Sequence, residues 1–177
     1  MRVGSIVAIW TLGMALLVSG CGTKSSPQRP AQHGNELAER DSSMERMAQL
    51  NQRMVEEADH QVLVYVQADS VHQYARCSQG AWVTRTRKVT DSEHPRVTEK
   101  VHVAMQIYTL GGELLQDIDG MYTIGNGDIP LGIEYALREL YRGESGIIVA
   151  PWHAAFGVDG TGNIAPYTNV RIDISIE

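Results

Sequence analysis

The sequence predicts an α+β fold in which an antiparallel sheet packs over a single helix. Three observations predict it. Ile133, Ala136, Leu137 and Leu140 fall at i, i+3, i+4 and i+7, which places them on one face of a helix. Val170, Ile172, Ile174 and Ile176 alternate with Asn169, Arg171, Asp173 and Ser175, the pattern of a strand with one buried and one wet face. Val101, Val103, Met105 and Ile107 alternate in the same way with His102, Ala104, Gln106 and Tyr108. The chain has 177 residues, 43% apolar and 20% charged, enough for one ordinary domain with additional segments.

Taken in order, the chain begins with Arg2 and an apolar run from Val3 to Val18. The run is shorter than the ~20 residues that a membrane-crossing helix needs. A basic start, an apolar stretch and small residues before a cut are the marks of an export signal. Val18-Ser19-Gly20-Cys21 resembles the bacterial lipobox. That resemblance implies a signal peptide over residues 1–20 and an acylated Cys21 as the first mature residue. It also implies a lipid-anchored protein of the bacterial cell envelope, in the outer membrane facing the periplasm. Cys77 is then the only other cysteine, so an intramolecular disulfide is excluded. An isolated thiol and an intermolecular bridge both stay open.

Residues 21–35 lack large apolar side chains and periodicity, which predicts a flexible tether. Its Gly22 to Gly34 stretch would reach roughly 40 Å if extended at about 3.3 Å per residue. Residues 36–80 form a helical N-terminal extension, in which Met44, Met47, Leu50, Met54, Val55 and Ala58 recur at helical spacings. Ser42 or Ser43 is expected to cap it, with Glu45 in the first turn. The methionine stripe either packs on its own domain or forms a seam between two copies. Val62, Val64 and Val66 either prolong this helix or start a strand.

Residues 81–177 carry the domain. Strands are expected from Gly80 to Val89, from Val101 to Tyr108 and, after the Gly111-Gly112 break, from Glu113 onward. Met121 to Gly125 reads as the next strand. Pro130 suits the first turn of the following helix, expected over about Pro130 to Tyr141, with Arg138 and Arg142 near its end and Gly143 as the stop. Gly146-Ile147-Ile148-Val149-Ala150-Pro151 and a glycine-rich loop then lead to the last strand.

Four pieces of this region recur in the order of a known family. They are Ile129-Pro130-Leu131-Gly132 with Ala136-Leu137, the Ala155-Phe156-Gly157 turn, Asn163-Ile164-Ala165-Pro166, and the closing strand. Together they resemble the FKBP-type peptidyl-prolyl isomerases over roughly Trp82 to Glu177. The layout is similar to lipoproteins of the gliding-motility-associated group. The resemblance implies an FKBP-like sheet wrapped around one short helix, and prolyl cis-trans isomerisation of exported proteins as the activity. It implies a site built from Met105, Leu115, Gln116, Tyr122, Ile129, Pro130, Ile133, Phe156, Ile164 and Ile172.

The chain departs from the family at several of these positions. Met105 stands for a tyrosine, Leu115 for a phenylalanine, Gln116 for an aspartate, and Ile133 for the tryptophan of the pocket floor. Phe156 replaces a tyrosine, Ile172 a phenylalanine, and Leu131 is an extra residue before Gly132. The resemblance therefore implies weak or selective catalysis, with a binding or chaperone module as the alternative. The expected partners are proline-containing segments of exported proteins, the membrane through Cys21, and a second copy through the N-terminal helix.

Other chemistries find no support. Prolyl isomerisation calls for no cofactor, and the six histidines show no zinc-ligand spacing. Gly143-Glu144-Ser145-Gly146 lacks the last glycine of a nucleophile elbow. The loop from Gly157 to Gly162 has no lysine after it, so it is not a phosphate cradle. A net charge of −6, with Arg85-Thr86-Arg87-Lys88 as the densest basic cluster, argues against nucleic acid.

Overall fold

A computed structural model describes residues 33–177, with side chains from residue 40. The expected signal peptide, Cys21 and most of the expected tether lie outside the described residues. The chain divides into a unit of residues 1–42 and a unit of residues 43–177. Among the described residues no helix is long and apolar enough to cross a membrane.

Helix α1 spans His33–Ala68 and is followed by strand β1 (Ala75–Arg76) and β2 (Trp82–Arg87). Strands β3 (Lys100–Thr109) and β4 (Leu114–Thr123) form a hairpin. Helix α2 (Leu131–Leu137), β5 (Ser145–Ala150), a 3-10 turn (Trp152–Ala154) and β6 (Val170–Ile176) complete the order. The sheet runs β1-β2-β5-β6-β3-β4, antiparallel at every pairing.

The register explains the two-sided composition. Directly opposed residues share a face. Ile118, Met105 and Ile174 lie abreast, as do Ile107, Ile172, Ile148 and Val83. This inner face meets Ile133, Ala136, Leu137 and Leu140 of the α2 segment in one core. The outer face presents Trp82, Ile147 and Val149, which pack with Val62 and Val66 of α1 in a second cluster. Strands β2 and β5 are thus covered on both sides.

Several expectations change. Residues 61–68 continue α1 because Ala58, Val62 and Val66, spaced by four, form a buried stripe, while Val64 is exposed. Burial of that stripe outweighs the strand preference of valine. The helix begins by His33, upstream of Ser42 and Ser43, so neither caps it, and the last tether residues are helical. It ends at Ala68, where Asp69 Oδ1 accepts the Val71 and His72 N–H groups, so the rest of the 36–80 extension is not helical. The His72 ring and the Val71 N–H hold the Asp69 carboxyl well below the usual carboxylate range. Met121 and Tyr122 belong to the same strand as Leu114, not to a separate one.

Helix α2 is shorter than expected, and Pro130 precedes it as the N-cap rather than entering its first turn. Arg138 is the C-cap, no basic residue lies in the last turn, and Gly143 acts later. Gly143 has φ +78 and donates its N–H to Ile176, turning the chain into β5. Glu144, fully buried, accepts from Tyr141 N–H at 3.0 Å and Val89 N–H at 3.2 Å, and so ties the 88–96 connection to this turn.

Candidate functional site

The candidate site residues come from β3, β4, β6, α2, the segment before α2 and the connection from β5 to β6. Met105 and Ile172 project from the central strands β3 and β6, and Ile133 from α2. Ile129 and Pro130 precede α2, and Phe156 and Ile164 lie on the connection from β5 to β6. Leu115 owes its position to a bulge. Ile107 opposes Gln116 while Tyr108 opposes Leu114, so Leu115 is the extra residue on β4. A bulge beside a site re-aims a side chain without ending the ladder.

Met105, Ile129, Ile133, Ile164 and Ile172 belong to a single buried cluster, with Leu115, Tyr122 and Phe156 packed against it half-buried. Met105 is 4% exposed, Ile133 1% and Ile172 0%, so these side chains fill the space rather than line an opening. A cleft of 330 Å³ opens between α1 and the β5–β6 connection, beside Met54, Gln61, Trp152 and Tyr167, and two others open farther away. One of 430 Å³ lies on the outer face beside Gln106, Asp117, Arg171 and Asp173. Another of 470 Å³ lies beside His72, Arg85, His94 and Tyr141.

The polar groups are few. Gln116 Oε1 is buried and meets no hydrogen-bond partner among the described residues. A Cβ built on Gly162 would lie 3.5 Å from it, so this amide faces the loop that carries Ile164. An unpaired buried carbonyl costs about 1–3 kcal/mol, which a ligand N–H would recover. Phe156 offers no hydroxyl. Leu131, the extra residue before Gly132, is exposed at the first position of α2. Gly132 makes the close contact: a Cβ there would fall 2.4 Å from the Ala154 carbonyl oxygen.

Sequence reasoning passed over several groups that hold the site in place. Glu134 is buried on α2 and accepts the Gly125 N–H at 3.0 Å, which fixes the turn before Ile129. Trp152 N–H donates to Asn169 Oδ1 at 2.9 Å, and the Trp152 and Tyr167 rings meet edge to face at 5.0 Å between centroids. A tryptophan directly after Pro151, in a loop expected to shape a pocket, was the available signal.

No protein-family model matches the sequence, and no curated protein matches it either. Solved structures do. A crystal structure of a peptidyl-prolyl cis-trans isomerase from Pseudomonas syringae aligns with a TM-score of 0.59 at 18% identity. The match covers 71% of this chain and 92% of that one. The crystal structure of FkpA from Escherichia coli aligns with a TM-score of 0.58 at 16% identity, covering 85% of this chain and 73% of that one. Element order, sheet and core therefore follow a shared plan while the side chains have diverged. The fold of this chain is the FKBP fold.

Proposed function

We propose that this protein is a lipid-anchored FKBP-fold isomerase of the bacterial cell envelope, weak in catalysis, that holds proline-containing segments of exported proteins as they fold. The observation that carries the reading is the closed aliphatic cluster at the family's pocket positions. Rotation about an X-Pro bond crosses a barrier of ~18–20 kcal/mol set by the partial double bond. No nucleophile is required. An apolar surface that prefers the twisted, less polar imide lowers the barrier, and a thousandfold gain takes about 4 kcal/mol of preferential binding.

Large aromatic walls serve that end because they are rigid and broad. Here the walls are Met105, Ile133 and Ile172, buried and small. Leu115, Gln116, Tyr122 and Phe156 remain at the rim. A rim of this kind holds an apolar segment through contact area but concentrates few donors on the twisted state. Binding therefore outlasts catalysis.

Refolding of a proline-limited substrate tests this directly, with peptide binding measured in parallel. The expected outcome is measurable binding with an acceleration well below a thousandfold, raised by Phe156→Tyr, which returns a hydroxyl to the rim. Acceleration at the level of an aromatic-pocket enzyme would overturn the weak reading. The absence of both binding and acceleration would overturn the prolyl reading itself.

A further inference from the structure

The 19-residue connection from Pro151 to Asn169 carries Phe156 and Ile164, and its regular structure is one 3-10 turn with a single Thr161–Ile164 bridge. A connection this long in a compact domain needs ties to hold one shape. Some ties are internal: Gly157 N–H to Trp152 O at 2.8 Å, Tyr167 N–H to Gly157 O at 3.1 Å, and the Thr161–Ile164 pair. Tyr167 is held at φ 58, a left-handed conformation that a non-glycine residue keeps only when its surroundings impose it.

The external ties converge on α1. His153 Nε2 lies 3.0 Å from Asp59 Oδ1, and Asn169 Nδ2 donates to Gln61 Oε1 at 2.9 Å. Asn169 also accepts the Trp152 N–H through its Oδ1, so one amide joins both ends of the loop to the helix. Asp59 is oriented from a second side by Arg76 of β1 at 3.5 Å. On the opposite flank the 3-10 turn rests against Gly132 of α2, where even a methyl group has no room. The turn that leads into Phe156 is thus gripped between two helices. The α1 end of these ties is fixed because Ala58 and Val62, which neighbour Asp59 and Gln61, are buried.

We infer that α1 sets the conformation of the site loop, with Asp59 and Gln61 as positioning residues for Phe156 and Ile164. The consequence for peptide binding rests on the proposed function; the anchoring itself does not. Neither residue belongs to the apolar cluster, and each acts through the loop residue that it holds.

Amide hydrogen exchange on the full chain, with and without a proline-containing peptide, tests this. In the double variant Asp59→Ala, Gln61→Ala, exchange over residues 154–168 is expected to rise about tenfold while β3 and β6 keep their protection. Peptide affinity is expected to fall with it. Asp59→Asn alone, which keeps an acceptor for His153, is expected to retain loop protection. Unchanged loop exchange in the double variant, or an equal rise in β3 and β6, would overturn the anchoring. A loosened loop with unaltered peptide affinity would overturn the positioning role. If the wild type binds no peptide while the loop still loosens, the proposed function falls and the anchoring stands.

Discussion

Gly132 shows how much one missing atom decides. With a Cβ 2.4 Å from the Ala154 carbonyl oxygen and 2.7 Å from the Ala154 Cβ, Gly132→Ala must push α2 off the 3-10 turn. Overpacking against backbone costs about 1–3 kcal/mol, and here the upper end applies because neither backbone can rotate away. Chemical denaturation should therefore show a lowered midpoint for Gly132→Ala, and an unaltered midpoint would refute the contact. Ile133, one residue on, is equally constrained. Restoring a tryptophan there would force about 1–3 kcal/mol of strain into a filled cluster, so the informative substitution is Phe156→Tyr at the rim. Cys77 is a different case. Burial, then the nearby Glu139 carboxylate, pushes its thiol up to about 11. Between the unfolded thiol's lower value and that point, the unfolded chain has lost a proton that the native chain keeps. The stabilisation is thus complete below the window and lost as pH rises through it. Denaturation of wild type and Cys77→Ala across this alkaline range should show the steeper fall in wild type. Parallel curves would refute the shift.

At the scale of elements, α1 is two helices in one. Its C-terminal half lays Ala58, Val62 and Val66 on the protein, and its side groups tie β1 and the site loop. Further toward the N-terminus, Met44, Met47 and Leu50 are exposed at 69%, 64% and 54%. Three large apolar residues in a row on a solvent face support the proposal that a second copy packs there. Met47→Glu with Leu50→Glu should shift a dimer to a monomer in sedimentation while leaving the thermal midpoint of the domain within a few degrees. A wild type that is monomeric at high concentration would end that proposal. The methionine stripe was readable as an amphipathic pattern, but spacing does not say which half finds a partner within its own chain.

For the whole molecule, the proposed reading places membrane attachment on covalent lipid at Cys21. Two acyl chains give stable anchoring where one gives only marginal binding. Cys21→Ser should move the protein from the membrane to the soluble fraction, and equal membrane retention would refute the lipobox reading. Within the domain, charge is placed where it orders connections. Arg142 pairs with Glu99, Arg96 with Glu93, and buried Glu144 gathers two backbone N–H groups with Arg85 at 3.7 Å. The Arg142–Glu99 and Val89–Glu144 contacts close the 88–99 segment onto the turn between α2 and β5, while Arg96–Glu93 braces the segment internally.

The sequence by itself determined the fold class, the inward faces of β3 and β6, and the apolar face of the 133–140 segment. Burial on a strand or helix repeats with the backbone's own period, so those facts are local. The FKBP resemblance likewise rested on four short stretches; of the ten residues it selected, five lie in one buried cluster, Leu115, Tyr122 and Phe156 pack against it, and Gln116 and Pro130 stand outside it. Only the tertiary structure decided that residues 61–68 are helical, because the outer sheet face supplied the partner that valine propensity alone does not foresee. It alone decided that the expected pocket is filled, since whether Met105 and Ile133 line a hollow or occupy it depends on the volume left by Ile172 and Ile164. The tie between α1 and the site loop joins residues 94 and 108 positions apart. No periodicity reaches that far; packing brings those side chains together, and the physical reason is that their partners are chosen by the shape of the folded core.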